Sequence, residues 1–112
     1  MAKYETELRG DFNEILYSIN EAIMSHSSSA TLEDKSDFST ENSICAVRVY
    51  ERYSYSGGNR VSMNITLLKS DGRIFVTVIT SGGSQAMFFK INTLGESSFL
   101  DLVTSALNKY KI

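Results

Sequence analysis

The residues able to do chemistry are few. Arg60 follows the Gly57-Gly58-Asn59 corner, and a second diglycine, Gly82-Gly83, is followed by Ser84 and Gln85. Glycine corners expose backbone N–H groups and an arginine adds positive charge, the makings of a nest for a phosphate or carboxylate. Tyr55, Asn59, Ser81, Ser84 and Gln85 would complete such a rim, with His26 arriving at the same end. The competing reading is two ordinary hairpin corners that need positive φ. It carries the greater weight, because no phosphate-loop spacing is present and neither corner opens a helix.

The remaining candidates are weaker. Glu51 could be a buried acid with a raised pKa, against a structural ion pair with Arg48, Arg52 or Arg60. His26, the only histidine, suits a helix C-terminus, where positive charge is favoured. Cys45 is the only cysteine. It excludes an internal disulfide and, lacking a CxxC spacing or a second histidine, reads as a buried structural thiol. A lone thiol also fits a reducing, cytoplasmic compartment. Glu33, Asp34 and Asp37 lack the spacing of a calcium loop and read as a solvated edge. Tyr50, Tyr53 and Tyr55 look like a base-stacking platform without a basic surround, so cross-strand packing is the better reading. No catalytic residue, metal site or cofactor is assigned.

Hydrophobic periodicity supplies the elements that must position these residues. Lys3 to Leu8 alternates, with Tyr4, Thr6 and Leu8 on one face, as a half-buried strand does. Asp11, with Glu14 three residues on, caps a helix whose stripe is Phe12, Ile15, Leu16, Ile19, Ala22 and Ile23. Ser29 to Lys35 is a polar strand suited to an edge, and Ser36 to Ser43 a loop. Long strands follow over Ile44 to Tyr55, Arg60 to Leu68 and Arg73 to Thr80, the last two joined by the hairpin signal Asp71-Gly72. Ala86 to Ile91 reads as a further strand and Asn92 to Ser98 as the approach to a final helix carrying Phe99, Leu102, Val103, Ala106, Leu107 and Tyr110. The expectation is an α+β domain in the order β-α-β4/5-α. It is an antiparallel meander with two helices on one face, similar in element order to helix-grip or TBP-like arrangements.

Val61, Met63, Ile65 and Leu67, with Ile74, Val76 and Val78, form the core face. The strand before Gly57 admits two registers. One buries Arg48, Tyr50 and Arg52; the other, reached by a bulge or a three-residue loop, buries Val47, Val49 and Glu51. The second is preferred, because an unpaired buried guanidinium costs several kcal/mol. It leaves Arg48, Tyr50, Arg52, Leu68, Phe75 and Ile79 on the outer face, a candidate contact surface.

At 112 residues the chain fits one domain, 1–112, able to bury a core without staples. A net charge of −2 disfavours nucleic acid. The opening residues carry no signal-peptide pattern and no apolar run is long enough to cross a bilayer. The stretches Cys45–Arg60 and Thr80–Asn92 resemble those of a family of short, uncharacterised bacterial proteins. The resemblance implies a stand-alone bacterial cytoplasmic domain and brings no catalytic residue. Two functions are therefore expected. One is a non-enzymatic module binding a small anionic or amphipathic ligand at the glycine rim. The other is a homodimer or complex subunit using the outer sheet face.

Overall fold

The computed structural model describes residues 1–53, 60–82 and 89–112, with residues 89–96 described as backbone only. The elements run β1 (Ala2–Leu8), α1 (Phe12–His26), β2 (Thr31–Ser39), β3 (Ser43–Tyr53), β4 (Arg60–Ser70), β5 (Arg73–Gly82) and α2 (Phe89–Leu107), with a closing 3-10 turn, Asn108–Tyr110. The strands form one antiparallel sheet in the order β1-β5-β4-β3-β2. The chain is thus α+β, a five-stranded open sheet with two helices.

Local chemistry explains the tightest features. Asp11 is extended at the N-cap of α1, and its Oδ2 accepts from the Glu14 amide at 2.9 Å. The Glu14 side chain does not close the box. It accepts instead from the Tyr110 hydroxyl at 2.9 Å, tying α1 to the C-terminal turn. Asp71 and Gly72 have φ of 53° and 80°, and Ser70 pairs with Arg73. Two consecutive positive φ values mark a type I′ turn, whose twist matches the strands it joins.

The core lies between the sheet and the helices. Ile15, Ile19 and Ile23 of α1 and Phe99, Val103 and Leu107 of α2 are fully buried against Val61, Met63, Ile65, Leu67, Ile74, Val76 and Val78. The face expected to be the core is the one that is buried.

Three expectations are corrected. First, β2 continues through Ser39 and turns directly into β3, where a loop was expected. The Thr40 amide donates to Ser43 O at 2.8 Å to close the corner. Second, residues 89–91 open α2 rather than continuing a strand; residues 86–88 lie outside the described residues. Third, the register of β3 is the other one. Arg52 pairs with Val61, Tyr50 with Met63 and Arg48 with Ile65, so Arg48, Tyr50 and Arg52 face the helices while Val47, Val49 and Glu51 face out.

Tyr53 opposite Arg60 leaves six residues between the strands, an even number with the same parity as a two-residue turn. The cost of turning guanidiniums inward is met by specific partners. Arg48 holds Asp37 of β2 through Nη1 at 2.8 Å and Nη2 at 3.3 Å. Arg52 lies 4.5 Å over the Phe99 ring and donates to Ser98 Oγ at 2.9 Å. Asp37 reaches Arg48 only because β2 runs past Lys35.

Candidate functional site

The sheet register brings the described flanks of both glycine corners to one end. Tyr53 opposes Arg60, Val61 opposes Gly82 and Ser62 opposes Ser81, while Asp71-Gly72 lies at the other end. Tyr55, Gly57, Gly58, Asn59, Gly83, Ser84 and Gln85 lie outside the described residues. Arg60, the cation expected to serve that rim, is already engaged. Arg60 Nη2 stands 2.7 Å from Glu51 Oε1 and 3.3 Å from Glu33 Oε2, and the guanidinium sits 5.7 Å from the Tyr53 ring centroid. Ser62 donates to the second Glu51 oxygen at 3.1 Å, and Thr31 donates to Glu33. An incoming anion would meet two carboxylates beside the Arg60 guanidinium.

Glu51 is accordingly on the outer face, its side chain a quarter exposed, in a structural ion pair. Glu33 pairs with Arg60 while Asp37 pairs with Arg48 on the opposite face, so the acids of β2 point apart. Among the described residues no three metal-ligating side chains gather. His26 Nδ1 donates to the Ala22 carbonyl at 3.0 Å, which satisfies a helix-terminal acceptor. Beside it, Ala22, Leu102, Ser105 and Ala106 line a shallow groove of about 500 Å³ between the helices.

The outer face of the sheet carries a second feature. In one row, Phe38, Cys45, Leu68 and Phe75 are successive cross-strand partners on β2, β3, β4 and β5. Neighbouring rows add Val47, Val49 and Ile79 on the same side. Phe38 is 61% exposed and Phe75 and Ile79 are each 36% exposed. Cys45 belongs to this row and is half-buried, which corrects the expectation of a buried thiol. Of the six residues expected to form a contact surface, Leu68, Phe75 and Ile79 are there. Arg48, Tyr50 and Arg52 are corrected to the helix side by the β3 register. Phe38 and Cys45, which the sequence reading missed, take their place. The signal for Phe38 was its spacing from Asp34 and Ser36, the period of a strand continuing through the assumed loop.

Charge frames this patch. Lys3, Glu5 and Glu7 stand on its β1 side and Asp34 on its β2 side. Glu7 and Arg73 form a paired contact, Nε to Oε2 at 3.0 Å and Nη2 to Oε1 at 2.9 Å, with the guanidinium 4.9 Å from the Phe75 ring. That hydrogen-bonded guanidinium holds the Glu7 carboxyl below the usual carboxylate range and is itself held more firmly protonated.

No helix among the described residues is long and apolar enough to cross a membrane. The sequence profile of a "Family of unknown function (DUF6054)" matches residues 1–111. No curated protein and no solved structure matches the chain.

Proposed function

The chain belongs to that family of unknown function, and from this premise we propose that it is a non-enzymatic assembly module whose bare sheet face packs against a second copy of itself. The observation that carries this reading is the apolar row Phe38, Cys45, Leu68 and Phe75, which spans four strands with no layer over it among the described residues. Isolated exposed apolar side chains need no explanation, but a contiguous patch does.

Charge favours a second copy as the occupant. A two-fold axis along β4 would lay β1 of one copy over β2 of the other, and β5 over β3. Lys3, Ile79, Asn64, Val49 and Asp34 form one cross-strand row. Under that axis Lys3 meets Asp34 of the second copy, and Ile79 meets Val49. In the apolar row Phe75 meets Cys45, Leu68 meets its own counterpart, and Phe38 meets Glu7, whose charge is already matched by Arg73. Five strands spaced about 4.8 Å apart and overlapping over the 7 residues of β1 give roughly 550 Å² in plan. Side-chain relief brings this towards the ~800 Å² per partner of a stable interface. Likeness to a helix-grip arrangement, and the bacterial cytoplasmic setting implied by the resemblance, belong to the same proposal.

Sedimentation velocity at micromolar concentration tests it. The wild-type chain is expected at twice its monomer mass, and Phe75→Lys or Leu68→Lys at monomer mass with an unchanged circular dichroism spectrum. Lys3→Glu weakens the dimer and adding Asp34→Lys restores it. A wild-type monomer under these conditions removes the proposal.

A further inference from the structure

We propose that the groove between α1 and β2, on the helix side of the sheet, binds a small amphipathic carboxylate. The groove arises because two helices do not cover five strands. α2 packs over β5, β1 and β4. α1 reaches β3, where the Tyr50 hydroxyl donates to Asn20 Oδ1 at 2.7 Å, and every residue of β2 remains exposed. Asn13, Leu16, Tyr17 and Asn20 form one wall, Leu32 and Lys35 the other, and Arg48 and Tyr50 the floor, around about 340 Å³. That volume lies at the lower end of small-molecule sites.

The lining sorts into two chemistries. Tyr17 is 65% exposed and Leu32 is 40% exposed, and both line the groove together with the half-buried Leu16. These groups would shelter an aryl or short alkyl body. Donors lie beside them. Lys35 stands directly opposite Arg48 in the β2–β3 register and has no ion-pair partner among the described residues. Arg48 spends three N–H groups on Asp37 and the Val47 carbonyl, leaving its Nε–H and one Nη2 hydrogen. Asn20, having accepted from Tyr50, keeps its amide hydrogens as donors. Lys35 and Arg48 against Asp37 sum to one positive charge in a chain of net charge −2.

A single positive charge, several planar donors and an apolar wall suit a monocarboxylate better than a phosphate, which would need more compensation. The groove opens on the face opposite the proposed dimer surface, so both can be occupied together and either can fail alone.

The test is amide NMR of the labelled protein titrated with hydrocinnamate, with hydrocinnamyl alcohol and inorganic phosphate as controls. Saturable shifts are expected at Tyr17, Asn20, Lys35 and Tyr50, and at least about tenfold weaker binding of each control. Lys35→Glu changes an exposed side chain, so it should leave the spectrum folded while removing hydrocinnamate binding. The proposal is overturned by absence of saturation, by equal binding of the alcohol, by undiminished binding to Lys35→Glu, or by shifts confined to Phe38, Leu68 and Phe75.

Discussion

Arginine 48 shows how a charge can face inward at modest cost. Its side chain is 12% exposed, and it is held by the bidentate grip of Asp37, itself half exposed. Removing the acid strands a mostly desolvated guanidinium, so Asp37→Ala should destabilise by about 1–3 kcal/mol in urea denaturation. Its neighbour Tyr50 is 1% exposed and bonded to Asn20. Burial pushes its phenol above the ordinary value, partly opposed by the Arg48 charge. The folded state therefore keeps this proton where the unfolded chain would release it. The associated stability is intact below the ordinary phenol value near 10 and is lost as pH climbs through the raised native value. Tyr50→Phe should cost about 1 kcal/mol at neutral pH and flatten that alkaline loss, read from urea midpoints across the alkaline range. Glu7 works in the opposite sense. Its carboxyl is held low by Arg73, so its contribution is present at neutral pH and is lost as pH falls through the lowered value. Glu7→Gln should make the acid limb shallower.

Among the elements, the start of α1 is the most closely specified. Gly10 has φ of +140°, and a Cβ there would come within 3.1 Å of the Tyr110 ring. Asp11 caps the next turn. Asp11→Ala should cost about 1 kcal/mol. Gly10→Ala should cost more than that, because it adds a forbidden φ to a ring contact; thermal unfolding of the two variants side by side checks the order. This start was readable in the sequence, as were the Asp71-Gly72 turn and the core face of β4 and β5, because one-sided burial writes a clean period. Thr31–Ser39 was half readable. With both its faces exposed, no alternation marks where it stops, and Asp37 and Phe38 carry no strand signal of their own. The opening of α2 is not legible because Met87, Phe88, Phe89 and Ile91 make a short apolar run that serves a strand or a helix equally. The β3 register is hidden in the sequence because the partners that satisfy Arg48 and Arg52, Asp37 and Ser98, lie on β2 and α2, the two elements whose bounds the periodicity does not mark. The glycine rim was legible as a convergence of corners. That Arg60 is already committed to Glu33 and Glu51 required the pairing of β2 with β3 to be known.

For the whole molecule, the sheet divides into a protected centre and a weakly held margin. β4 and β5 are paired on both sides and covered by α2, whereas β2 has one partner, is exposed along its whole length and carries a register shift between Leu32 and Asp34. That shift and the charges of β2 discourage pairing through its free edge, which leaves the flat face as the better place for a second copy. Hydrogen exchange should show β4 amides opening only with global unfolding and β2 amides through a cheaper local route. Slow exchange throughout β2 in a monomeric sample would contradict this. The first strand to be made, β1, pairs with β5, the last of the sheet, and Ala2 lies opposite Thr80. During synthesis the hairpins from β2 onward can zip one after another while the N-terminal segment waits. Its ordering then requires closure of a long loop, the kind of step that sets the pace of folding.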